Sequence, residues 1–211
     1  LLLSAIQASV PVSLFEIEQL APGIAVFGLS FMTLFSAQLV AKDRESALLQ
    51  RLYTTPLKAS DFILGYLLPL IPIAMAQCVL TYCIAVVLGL SLTVTLLYAV
   101  LFIIPISLFY VSLGLLCGSA LTVKQVGGIC GALLTNLSAW LSGVWFDLAL
   151  VGGVFERIAN LLPFVHAVEL ERAVLAGDWA ALPSHLPLVL GYAVGITLCA
   201  VWLFLRQMKR Q

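Results

Sequence analysis

Charge is what this sequence has least of. Ten basic and ten acidic residues cancel to a net charge of zero and make up 9% of the chain, against 63% apolar residues. A soluble domain carries about 25% charged residues, so this chain cannot clothe a water-facing surface. Its neutrality removes the basic footprint of a nucleic-acid binder, and its hydropathy removes a disordered chain. The five cysteines form no CxxC pair, which leaves no framework for a disulfide scaffold; they read as small packing residues. A mean hydropathy of +1.15 makes this an integral membrane protein.

Chemistry-bearing motifs are absent as well. There is no GxSxG and no HExxH, the patterns that would present a nucleophile or a zinc site. No GxxxxGK[ST] is present, and none of the four lysines follows a glycine, so no P-loop for ATP exists on this chain. His166 and Glu169 stand three apart and would share a helix face, but no second histidine joins them there. A polar interfacial histidine is the better reading of that pair than a metal site. The expectation is a chain that is not an enzyme, with no catalytic, cofactor or metal residues.

What is present is long apolar runs. Residues 19–41, 62–123, 125–146 and 179–205 contain no Asp, Glu, Lys or Arg. A helical span needs about 20 apolar residues, so the second run holds two spans, broken at Gly89–Thr93, where Gly, Ser and Thr punctuate. The chain is expected to be all-α: a polytopic helical membrane protein forming one transmembrane domain over 1–211. Five spans are predicted near 21–41, 62–88, 93–119, 125–146 and 184–205. Continuous rather than alternating apolar runs disfavour a β-barrel. The spans hold no ionisable relay, so an uphill transporter built this way would draw its energy from outside the bilayer core.

Topology follows from the basic residues. Lys42, Arg44, Arg51, Lys58, Lys124, Arg206, Lys209 and Arg210 fall on one side and only Arg157 and Arg172 on the other. The positive-inside rule then makes loop 42–61 and the C-terminus cytoplasmic and puts 1–18 and 147–183 outside. The chain begins at Leu1 with an outside end and no basic export signal. One further upstream span, six in all, would account for this; a trimmed chain would too.

Within the spans, Gly114/Gly118, Gly127/Gly131 and Gly191/Gly195 have the spacing that permits close helix approach. Pro69, Pro72 and Pro105 are expected to kink or loosen their helices. Asn136, flanked by Thr135 and Ser138, needs partners in lipid or a watery path. Between spans, Leu48, Leu49, Leu52 and Tyr53 form an apolar stripe with Arg44, Glu45 and Arg51 away from it. That is an amphipathic helix ended by Thr54-Thr55-Pro56, either resting on lipid or gripped by a cytosolic partner. Over 147–183, Val154, Phe155, Ile158, Leu161 and Leu162 precede Pro163, and Val165, Val168 and Leu175 precede Gly177. Two short outer helices dipping into the leaflet are expected there.

At these loops the sequence resembles the permease subunits of ABC-2 type transporters, mostly exporters. Ala21-Pro22-Gly23 is similar to the family's "PG" entry to a span. Lys42 to Leu57 (KDRESALLQRLYTTPL) resembles its R-E-x-G-x-L-x-x-L-x-x-T-P-L block, with Ala47 where Gly is usual. Leu162-Pro163-Phe164-Val165-His166-Ala167-Val168-Glu169 is similar to P-x-x-H-x-x-E. Ser142-Gly143 before Phe146 is similar to S-G-x-x-F, with Asp147 where Pro often follows. The resemblance implies six spans per subunit, a homo- or heterodimer of permeases in a bacterial or archaeal plasma membrane, and separate ABC ATPase subunits carrying ATP and Mg. It makes residues 43–55 a coupling helix, with Arg44, Glu45, Leu48, Leu49, Arg51 and Leu52 meeting the ATPase. It places Phe31, Phe35, Asn136 and Trp140 along a path for an amphipathic drug, lipid or glycolipid. Two alternatives stay open: a non-transporting scaffold, immunity or sensor subunit of the same fold, and a gradient-driven carrier.

Overall fold

The computed structural model describes residues 16–46 and 59–208. Among them every regular element is helical: α1 (Ile17–Glu45), α2 (Ala59–Val87), α3 (Val94–Ala120), α4 (Val123–Val126), a π-helical segment (Gly127–Leu134), α5 (Thr135–Leu141), α6 (Leu148–Val151), α7 (Gly153–Leu161), α8 (Pro163–Ala176) and α9 (Leu182–Met208). Four helices are long and apolar enough to cross a membrane: Ile17–Glu45, Ile63–Val87, Val94–Ala120 and Leu182–Arg206. The protein is an all-α polytopic membrane protein.

α3 is the axis of the bundle. It packs on α1 along one side and on α9 along another, and α2 leans on both α1 and α3. Ile103, Ile106, Phe109, Tyr110, Val111 and Leu115 of α3 are buried almost completely. Lipid gives apolar side chains no reason to leave it for each other, so close backbone approach and buried hydrogen bonds must supply the contact. Both occur at α1–α3. A Cβ on Gly118 would stand 2.5 Å from the Ala37 carbonyl oxygen, and one on Gly114 would collide with the Ser36 hydroxyl and the Thr33 carbonyl. Along this seam the Thr33 hydroxyl donates to the Tyr110 carbonyl at 2.8 Å. On the other flank, the Ser112 and Thr197 hydroxyls meet at 2.7 Å across α3–α9. The other two GxxxG pairs behave differently: a Cβ on Gly131 would stand 3.4 Å from the Leu34 side chain, while Gly127, Gly191 and Gly195 face open space.

The turn expected at Gly89–Thr93 is present. Gly89 takes φ +115 and Leu90 N–H bonds back to the Ala85 carbonyl at 2.9 Å, the bond that closes a helix end when its C′ residue is glycine. Helices run unbroken through Pro69, Pro72 and Pro105. Some boundaries differ from expectation. α1 extends to Glu45, so Asp43, Arg44 and Glu45 finish the first span instead of opening a separate helix; the chain leaves helix at Ser46, which is extended. The helical run expected over 125–146 spans 123–141. It starts where Thr122 and Gln125 form a reciprocal capping box and stops at Ser142, ahead of Gly143 at φ +68. Two further helices follow between 153 and 176 as expected, preceded by the short α6. Pro163 opens α8, where its missing N–H costs nothing, and Gly177 closes it in the left-handed conformation.

The α1–α3 seam makes a direct prediction. Gly118→Leu must push the two backbones apart, and overpacking of this kind costs about 1–3 kcal/mol. Gly191→Ala, on an open face, should change stability by less than about 0.5 kcal/mol. Denaturant titration of the purified protein in mixed micelles checks both; equal losses at the two sites would refute the seam.

Candidate functional site

Three places bring polar groups together. The first is the face shared by α1 and the helical run 123–141, which pack on each other. Phe31, Phe35 and Trp140 are 54%, 51% and 59% exposed. Phe31 and Phe35 are one turn apart on α1, as Asn136 and Trp140 are on α5. Asn136 is exposed, and its amide donates back to the Ala132 carbonyl at 2.7 Å. Its neighbours turn inward. Ser138 meets the Tyr110 hydroxyl at 2.9 Å, and the Thr135 hydroxyl donates to the Cys130 carbonyl five residues earlier at 3.0 Å. That bond sits in the wide π turn, where Gly127 and Gly128 have no neighbour within 4 Å of a would-be Cβ. π turns inside α-helices recur at functional sites. Phe27, which the sequence reading passed over, stacks edge-on with Phe31 of α1 at 5.9 Å and with Trp145, in the turn after α5, at 5.7 Å.

The second place is the basic end of α1. The Tyr66 hydroxyl donates to Asp43 at 2.5 Å, tying α1 to α2. The Arg44 guanidinium donates to the carbonyls of Ser119 and, at 2.6 Å, Leu121, where α3 has run out of intrahelical donors. Glu45 accepts from Val123 N–H at 3.0 Å, at the start of α4, where a carboxylate also complements the helix dipole. Arg44 and Glu45 therefore serve the chain's own α3–α4 corner. Leu48, Leu49, Arg51 and Leu52, the rest of the expected coupling set, lie outside the described residues.

The third place is the acidic end. Arg172 on α8 is a junction: it donates to the Gln19 carbonyl at 3.2 Å, to Glu169 at 2.8 Å and to the Gly143 carbonyl at 3.2 Å. A cavity of about 450 Å³ opens beside it, lined by Glu16, Asp147, Glu156 and Glu169. His166 and Glu169 take different hydrogen-bond partners. His166 Nε2–H donates to the Asn160 carbonyl at 2.8 Å, which leaves Nδ1 to accept from His185 Nδ1–H at 2.9 Å. Among the described residues no three His, Cys, Asp or Glu side chains are grouped to hold a metal.

Sequence reasoning missed Glu171. It is wholly buried, and Tyr82 of α2 donates a hydrogen bond to it at 2.6 Å. Burial pushes its carboxyl up to about 8, with the Tyr82 bond pulling the other way. A signal did exist: Phe164, Ala167, Val168, Glu171 and Val174 recur at helical spacing on the buried face of α8.

No curated protein and no solved structure matches the chain. Residues 7–206 match the family described as ABC-2 family transporter protein. That match runs nearly the whole length of this bundle of membrane-crossing helices: the chain belongs to the ABC-2 transporter family and is an integral membrane permease of that type.

Proposed function

We propose that the chain is the transmembrane subunit of an ATP-driven exporter, pairing with a second permease and with separate ABC ATPase subunits that carry ATP and Mg. In this reading the basic end of the bundle is cytoplasmic. The observation that carries the proposal is Asn136: an exposed amide, with Phe31, Phe35 and Trp140 likewise exposed on two helical elements that pack on each other. A lipid-facing amide with unused acceptor capacity is expensive in hydrocarbon. The face is better accounted for as lining a path against the second permease, with one polar group amid aromatics. Such a lining suits an amphipathic molecule (a drug, lipid or glycolipid) more than a small ion.

The energy would enter at segment 47–58, which carries Leu48, Leu49, Arg51 and Leu52. That segment follows α1 in the sequence, and the last turn of α1 holds the α3–α4 corner through Arg44 and Glu45. Arg44 and Glu45 then pass movement on instead of gripping the ATPase. A pull on the segment moves the start of the run 123–141, and the π turn between that start and Asn136 is the place that yields. The ATPase must bind the segment differently in its two nucleotide states, since only differential affinity shifts a conformational equilibrium.

Co-expression with a candidate ABC ATPase subunit should yield a stable complex whose ATP hydrolysis rises with added phospholipid or amphipathic cation. A permease that purifies alone, or hydrolysis blind to every such compound, would overturn the reading. Arg51→Glu is expected to release the ATPase at least tenfold more readily in a pull-down, whereas Arg44→Ala should leave it bound and lose only the stimulation. Asn136→Leu and Trp140→Ala should leave basal hydrolysis within twofold of wild type and cut the stimulated part several-fold. Neither should shift folding stability by more than about 0.5 kcal/mol, because both side chains are exposed.

A further inference from the structure

Glu171 has no task in the transport path just described, and its surroundings are unusual for an acid. The carboxyl is fully buried. Tyr82 Oη–H donates to Oε1 at 2.6 Å, while Oε2 has no hydrogen-bond partner. No cation answers it among the described residues. On α8, Arg172 is committed to Gln19, Glu169 and Gly143, and His166 to Asn160 and His185. On α2 the facing groups are Tyr82 and Cys78. α1 between residues 19 and 41 and the whole of α3 carry no charged residue. On α9 the titratable groups at this end are His185, already paired with His166, and Tyr192, whose hydroxyl donates to the Leu161 carbonyl at 3.0 Å.

The seam around this bond is narrow. α8 packs on α1, α3 and α9 and meets α2 in little besides the Tyr82–Glu171 contact. Tyr82 also lines a cavity of about 230 Å³ together with Val79, Val86, Leu96 and Val100. An ionised carboxylate cannot persist with one hydrogen bond and no counter-charge in such a place. A neutral acid can, since Oε1 accepts from Tyr82 as the carbonyl oxygen and the proton on Oε2 leaves no charge exposed to a low dielectric.

We propose that Glu171 is a proton-binding site that latches α8 to α2: the neutral acid, bonded to Tyr82, keeps the seam shut, and loss of its proton opens it. On opening, the carboxyl O–H bond breaks, the proton passes to water entering the seam, and the carboxylate that remains is hydrated. Closure reverses each step. The sign follows from linkage. The closed state binds the proton more tightly than the open one, so closure is fully favoured below the ordinary carboxylate range. It is lost as pH rises from there to about 8, and the opening equilibrium grows by up to about tenfold per pH unit in that window. The site would therefore make this end of the permease sensitive to the acidity of the medium it faces. It needs no ATPase partner, so its test stands apart from that of the transport reading.

The full chain in lipid nanodiscs, as wild type, Glu171→Gln and Tyr82→Phe, serves as the probe, with pH as the only variable. Infrared difference spectra should show a protonated-carboxyl band in wild type that titrates away near pH 8, well above the exposed acids, and that Glu171→Gln lacks. Amide hydrogen exchange over 163–176, corrected for its intrinsic pH dependence, should rise several-fold from pH 6 to pH 8 in wild type and stay flat in Glu171→Gln. Tyr82→Phe should raise exchange at both pH values while keeping the band. A wild type with no such band at pH 6, or a Glu171→Gln variant with the wild-type rise in exchange, overturns the proposal. If the Gln variant does not fold, the wild-type band alone decides.

Discussion

The close approach of α1 to α3 is the constraint on which the rest of the bundle depends. In hydrocarbon, side-chain burial is nearly neutral, and association has to be won by backbone proximity and by hydrogen bonds that water cannot replace. Gly114 and Gly118 remove the side chains that would hold the two helices apart, and Ala37 and Ser36 present small surfaces to them. Thr33 then reaches the Tyr110 carbonyl. Once α1 is seated, its register along α3 is fixed to within one helical turn, because displacing it would leave a hydroxyl unpaired or a Cβ against a backbone.

That register has consequences at both ends. At the basic end it delivers Arg44 to the terminal carbonyls of α3 and Glu45 to the first N–H of α4. Two orphan sets of backbone groups, one at each helix end, are satisfied by adjacent residues of one side chain pair. At the acidic end the same helix offers the Gln19 carbonyl to Arg172, which anchors α8 over the bundle. Tyr110, whose carbonyl receives Thr33, uses its hydroxyl on Ser138, so the seam also holds the run that bears Asn136. The α3–α4 corner and the run that bears Asn136 are thus parts of one packed unit.

The sequence was most readable where a single physical rule decides. Charge-free length marks a span, glycine with φ > 0 marks a turn, and both worked at 62–123 with its break at Gly89. The rules failed where tertiary contacts compete. A charged KDRE stretch reads as the start of a solvent-facing helix, yet α1 continues through it because Asp43, Arg44 and Glu45 each find partners on α2, α3 and α4. GxxxG spacing occurs three times, and spacing alone does not say that only Gly114/Gly118 meets a helix tightly. The π turn was not legible at all: Gly127-Gly128 allows it, but the Thr135 bond to Cys130 becomes visible only in three dimensions. Glu171 was passed over because acids are counted as surface residues, although its position on the apolar period of α8 argued otherwise.

The cost of Glu171 explains why its protonation matters more than its hydrogen bond. A neutral bond of the Tyr82 kind contributes about 1 kcal/mol net, whereas a buried ion without a partner costs several kcal/mol even after relaxation. A buried carboxylate therefore outweighs its one bond, and the closed seam survives only with the proton in place. An apolar residue of similar volume would close the seam at every pH. Arg172, one residue on, carries a charge that would neutralise the acid if it turned inward, but the Gln19, Glu169 and Gly143 contacts hold it on the other face of α8. The helix thus separates its two ionisable neighbours: one fixes α8 to the bundle, and the other is left to the proton.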